Sequence, residues 1–207
     1  MNAFAPYFSG VVALVIVLFG EQLKRLLAGA TIELADPVPV RTKVKEPTAG
    51  IDSLTPAYLF LLRVKAKRIT LRRCRVNLIA LRKRKGQGPF EPIRMLVPHQ
   101  FSWSPRYVHD QGDAINVNAG TARVVDFVRL LTPLLMDGPK RRIMPMLYQF
   151  PPYFEGWVYP GETMRYTIQI EADGYTSPPS VFEVRWDGEY AEDNPEAMVD
   201  HIEIRKL

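Results

Sequence analysis

The sequence predicts an all-β protein: an antiparallel β-sandwich preceded by one N-terminal transmembrane helix. Three observations carry this. From Tyr58 onward, apolar and polar residues alternate in run after run, the period of a half-buried strand. Turn signals recur roughly every eight to twelve residues, and 18 prolines in 207 residues disfavour long helices. The first twenty residues carry no charged side chain, and ten of them are Phe, Val, Leu or Ile.

That opening stretch is expected to cross a lipid bilayer through residues 4–20. At about −0.3 to −0.6 kcal/mol per apolar residue, insertion gains roughly 3 to 6 kcal/mol, and no charge opposes it. A helix of about twenty residues matches the ~30 Å hydrocarbon layer. A cleaved signal peptide is the rival reading. It would have a basic start and a small-residue cleavage site close behind the apolar run. Here the start is uncharged, and Glu21, Lys24 and Arg25 separate the run from Ala28-Gly29-Ala30. Lys24, Arg25, Arg41, Lys43 and Lys45 all follow the apolar run. Since the Lys and Arg excess stays in the cytoplasm, the N-terminus is expected outside and the folded domain inside.

Residues 1–28 thus read as the anchor with its basic flank. Residues 29–56 read as an entry segment or linker, with a candidate first strand at 31–34 and four prolines that interrupt helix. Residues 57–207 read as the sandwich. In residues 58–67, Tyr58, Phe60, Leu62, Val64 and Ala66 share one face. In residues 71–81, Cys74, Val76, Leu78 and Ala80 share one, and the short gap between these runs suggests a hairpin. Residues 122–131 read as a strand partly buried on both faces. Residues 143–150 read as a poorer one, broken by Pro145. Pro160-Gly161 turns into residues 164–172, and Asp173-Gly174 leads to residues 180–186, where Phe182, Val184 and Trp186 line up. The last candidate strand is 198–204. Trp103, Trp157 and Trp186 are expected in the core.

Apolar content of 47% and aromatic content of 11% argue against disorder. The single cysteine, Cys74, excludes an intrachain disulfide and reads as a core residue. His99, His109 and His201 have no ligand spacing, so no metal or other cofactor is expected. Asp110 and Asp113 beside His109 are the one carboxylate arrangement resembling an acid–base pair, and a polar loop explains them as well. Nothing else suggests catalysis, so an enzyme is not expected.

The most conspicuous polar feature is basic. Eleven Lys and Arg residues fall within the 23 residues from Arg63 to Lys85, and none is acidic. In the hairpin reading, Arg63, Lys65, Arg73 and Arg75 would face one another across strands, an unfavourable arrangement that asks for neutralisation. Lys67, Arg82, Lys83, Arg84 and Lys85 extend the same surface. Anionic headgroups or an acidic protein would neutralise it. Nucleic acid is disfavoured because aromatics are not interleaved with the basic residues. The acidic C-terminal segment, from Glu183 to Glu203, would do so internally. A second contact candidate is the aromatic, Pro-rich stretch containing Tyr153, Phe154 and Trp157.

Three stretches also carry a resemblance: the runs beginning at Tyr58 (Tyr-Leu-Phe-Leu-Leu-Arg-Val-Lys) and Leu71, the segment Asn118-Ala-Gly-Thr-Ala-Arg-Val-Val-Asp-Phe, and the segment from Tyr159-Pro-Gly-Glu to Trp186-Asp-Gly. Together, over about residues 31–188, they resemble uncharacterised prokaryotic membrane-anchored Ig-like β-sandwich domain proteins. The resemblance implies an Ig-like sandwich behind a membrane helix, with the Pro-Gly turn launching a late strand, and brings no catalytic residues. The chain departs from the pattern at Lys67-Arg-Ile-Thr, where relatives carry a polar turn. The expected function is a membrane-tethered, non-catalytic binding or scaffolding module. An exported envelope domain of opposite topology, or a membrane effector or enzyme without a recognisable motif, is the alternative.

Overall fold

The computed structural model describes residues 29–35, 38–45, 52–104, 114–131, 142–190 and 195–207. The expected transmembrane segment and the Asp110, Asp113 and His109 group lie outside them. Among the described residues, no helix is long and apolar enough to cross a membrane.

The fold is all-β, with the layering of a β-sandwich. Sheet I runs in the order β1 (Ala30–Leu34), β3 (Asp52–Ala66), β8 (Ala122–Leu131), β9 (Ile143–Pro145), with β2 (Val38–Lys45) also on β3. Sheet II runs β13 (Ile202–Lys206), β12 (Ser180–Trp186), β10 (Glu162–Ala172), β4 (Leu71–Lys85), β5 (Glu91–Ile93). In it, β11 (Tyr175–Thr176) pairs β10, while β6 (His99–Gln100) and β7 (Ile115–Val117) pair β4. Every named pair is antiparallel. One core takes Phe60, Leu62 and Val64 from sheet I and Val76, Leu78, Tyr166 and Trp186 from sheet II. Each such fully buried side chain contributes about 1.5–3 kcal/mol through loss of apolar surface to water.

The expected hairpin between residues 58–67 and 71–81 does not form. β3 pairs β1, β2 and β8, while β4 pairs β10, so residues 67–70 carry the chain from one sheet to the other. A short break between two alternating runs reads the same for a hairpin and for such an arch. Burial decides it, because each strand points its apolar face at the other across the core. Arg63 and Lys65 therefore leave the outer face of sheet I, and Arg75 leaves sheet II. The predicted like-charge confrontation is absent: Arg63 stands opposite Glu33, and Arg75 opposite Glu171.

Three irregularities shift the alternation. Arg73 adopts a left-handed backbone (φ 50°) where the β4–β7 register slips, and its N–H donates to Asn116 Oδ1 at 3.0 Å. Opposite the step from Thr167 to Ile168, Ile79 is an extra residue. Beyond it Leu81, not Ala80, turns inward, so the expected inward Ala80 is exposed. Phe127 is likewise extra against the step from Phe60 to Leu61, which leaves residues 125–128 all buried.

Within the entry segment 29–56, the candidate strand at 31–34 forms as β1, and β2 and the start of β3 join it, with Pro39 and Pro56 inside the paired strands. Met198 lies in the helix α1 (Pro195–His201), fully buried, and the last strand starts only at Ile202. The Pro160–Gly161 turn forms as read. The Glu162 N–H donates to the Tyr159 carbonyl at 3.0 Å, and Gly161 takes φ +76°, the position where a type II turn wants glycine. Trp103 and Trp186 are buried; Trp157 is only half-buried. Cys74 is fully buried, and burial pushes its thiol up to about 12, so it stays protonated and unreactive.

Candidate binding cleft

The inward face of β4 outruns the core. Leu81 is the last buried residue on it; Lys83 and Lys85, two and four residues on, keep the same orientation past the core's edge. The loop of residues 150–157 comes over this end. Between them opens a cleft of about 1380 Å³, bordered by Lys83, Lys85, Glu91, Tyr153, Phe154, Trp157, Tyr159 and Glu162, with prolines 89, 92 and 160. A pocket shaped for a small molecule is typically about 300–1,000 Å³. This one is larger than that range.

The loop owes its shape to an aromatic cluster. Phe150 stacks on Trp157 with ring centroids 5.2 Å apart, and Phe154 meets both edge-on at 5.5 and 5.3 Å. The Arg142 guanidinium lies 4.4 Å from the Trp157 ring centre. The Tyr166 hydroxyl, fully buried, donates to the Gly156 carbonyl at 3.0 Å and ties the loop to the core. Burial pushes that phenol far up, so it remains a neutral donor. Tyr153 stands at the tip, 100% exposed, with a left-handed backbone (φ 58°).

On the opposite wall, Lys83 Nζ pairs with Glu162 at 3.0 Å and lies 5.4 Å from the Tyr159 ring centre. Glu162 also accepts from the Tyr159 N–H at 3.2 Å. Its charge is thus spent on holding the turn. Trp186 closes the floor, its Nε1 donating to the Glu189 carbonyl at 2.8 Å.

The two surfaces that the sequence suggested separately therefore meet in part. Lys83 and Lys85 share the cleft with Tyr153, Phe154 and Trp157. Arg82 and Arg84, alternate residues of the same strand, point to the outer face of sheet II. Lys67 sits at the other pole, its N–H donating to the Gly29 carbonyl at 2.9 Å. Sequence reasoning missed Tyr159, Glu162 and Arg142. A Glu directly after a Pro-Gly turn is a signal, but its partnership with Lys83 exists only once the β4–β10 register is known. Among the described residues, no three His, Cys, Asp or Glu side chains gather as metal ligands.

Two described carboxylates of the acidic C-terminal segment, Glu183 and Asp187, pair outside the basic run. Glu183, 4% exposed, bonds Arg165 at 2.8 Å and Arg205. Asp187 bonds His201 at 2.8 Å, and that contact holds the imidazole above its usual range. Burial pushes the Glu183 carboxyl up, but the two guanidinium groups outweigh it and leave it below the usual range. A depressed carboxylate stabilises above its unfolded value of about 4.3–4.5 and loses that contribution as pH falls through the folded value. Glu183→Gln is therefore expected to remove about 1 kcal/mol at pH 7, kept small because both arginines are partly solvated. It should also flatten the acid limb of a stability–pH curve below about pH 4.5. An unchanged limb in urea titrations would assign that slope to other carboxylates.

Comparison with protein-family models, curated proteins and solved structures gives no match.

Proposed function

We propose that this chain is a non-catalytic binding module of Ig-like sandwich type, tethered to a membrane through residues 4–20 with its domain on the cytoplasmic side. In this reading the cleft receives an extended segment of a partner protein. The observation that carries it is polarity along the sandwich. Gly29, where the N-terminal segment joins, sits beside Lys67; Ala30 bonds Tyr175, just past the end of β10. The cleft opens at the start of β10, eleven residues and roughly 35 Å away. A tether at Gly29 would hold the cleft away from the bilayer. Exposed Lys67, Arg68, Arg72 and Arg73 would then lie near the headgroups, where each basic residue contributes about 1 kcal/mol on an anionic surface.

The test is photo-crosslinking in intact membranes. A photoreactive residue replaces Tyr153 in one chain and Lys67 in another, followed by an alkaline wash. The expected result is a chain retained in the membrane, with a discrete protein adduct from position 153 and lipid adducts from position 67. The same products from both positions, or a chain released by the wash, would overturn the reading.

A further inference from the structure

The outer face of sheet II carries an arginine array outside the cleft. Two registers of the ladder build it. Arg82, Arg165, Glu183 and Arg205 stand side by side on β4, β10, β12 and β13; Arg84, Thr163, Arg185 and Glu203 form the next row. Five guanidinium groups thus share one face with two carboxylates, with Glu183 and Thr163 buried among them. The carboxylates are already used. Glu183 serves Arg165 and Arg205, and Glu203 lies 3.9 Å from Arg205. Among the described residues, no carboxylate comes within ion-pair distance of Arg82, Arg84 or Arg185, although the Arg185 charge is felt by the Asp187 carboxyl beside it. Phe90 folds over this face, with Arg165 at 3.7 Å and Arg84 at 4.6 Å from its ring centre. The ring is already occupied by cations.

We infer that this face binds an acidic, extended peptide segment of a partner protein. The spacing argues for it. Arg82 and Arg84 are two residues apart on one strand, about 6.8 Å at 3.4 Å per residue. An extended peptide with carboxylates at alternate positions repeats at that distance. Each guanidinium offers a forked pair of donors suited to a carboxylate. A single-stranded nucleic acid would want a free aromatic platform for its bases, and Phe90 has guanidinium groups at its ring. This inference uses neither the tether nor the cleft residues, so it stands or falls separately from the proposed function.

The test uses the full chain in non-ionic detergent and fluorescence anisotropy with a labelled peptide alternating Glu and Ser. Arg82→Ser, Arg84→Ser and Arg185→Ser together are expected to weaken binding about tenfold or more. A matched loss of charge on sheet I, with Arg63→Ser, Lys65→Ser and Arg123→Ser, should leave it nearly unchanged. Glu183→Gln, which removes a competing carboxylate, should tighten binding even though it lowers stability, an outcome that misfolding would not produce. The inference is overturned if both triple variants weaken binding equally. It is also overturned if an oligothymidylate of equal charge binds as well as the peptide, or if Glu183→Gln weakens binding.

Discussion

Phe127→Ala is expected to cost about 3–5 kcal/mol of folding stability. Phe127 is fully buried and touches three other rings: Phe101 at 5.8 Å, Tyr166 at 5.4 Å and Phe182 at 5.5 Å between centroids. Truncation leaves a cavity among groups that cannot collapse, because Tyr166 and Phe182 are fixed in paired strands of sheet II. Domains of this size are typically stable by about 5–15 kcal/mol, so the loss is a large share of the whole. Urea unfolding of the full chain, followed by tryptophan fluorescence, would measure it. Phe127→Leu should cost roughly 1.5 kcal/mol or less, since volume is largely kept. A loss below about 1 kcal/mol for the alanine variant would mean that the ring cluster is not the centre of the core.

Phe127 also marks where sequence patterning ran out. Its run shows buried residues in succession, which reads as a strand covered on both faces. Residues 125–128 are indeed all buried, Asp126 included, but one extra residue against β3 also shapes the run, and a bulge leaves no sign in hydrophobic order alone. The same holds for Ile79, which moved the inward role from Ala80 to Leu81. Where no extra residue intervenes, the strand itself was readable. The inward Met164, Tyr166, Ile168 and Ile170 of β10, and Phe182, Val184 and Trp186 of β12, are those that alternation selects. Their bounding turns at Gly161 and Gly174 were readable too, since both take a positive φ that glycine tolerates best.

The site was legible only as pieces. Basic residues and aromatic loop residues each stand out in the chain, but their meeting depends on which face of β4 each Lys or Arg occupies. Alternation sorts Lys83 and Lys85 from Arg82 and Arg84 only after Leu81 is known to point inward. A hairpin assignment for β3 and β4 hid this, because it put both strands in one sheet and their charges on one face. Pairing between distant segments, β4 with β10 above all, is what turns a basic run into one cleft wall and one outer array.

Gly156→Ala is expected to dismantle the cleft. A Cβ there would overlap the Phe154 ring and come within 2.9 Å of Leu81 Cδ1. The backbone cannot retreat easily, because the Tyr166 hydroxyl holds the Gly156 carbonyl at 3.0 Å from beneath. The ring must therefore leave its edge-on contacts with Phe150 and Trp157, which removes one wall of the groove. Overpacking of this kind costs about 1–3 kcal/mol, and the discrete adduct from position 153 should disappear. A double-mutant cycle isolates the cause. With Phe154→Ala already present, the two shortest contacts of the added methyl are gone and Leu81 Cδ1 at 2.9 Å is left as the nearest of the three, so Gly156→Ala should cost markedly less than in the parent chain. Equal cost in both backgrounds would show that Phe154 is not the obstacle. The link drawn between this glycine, the aromatic cluster and the groove would then fail.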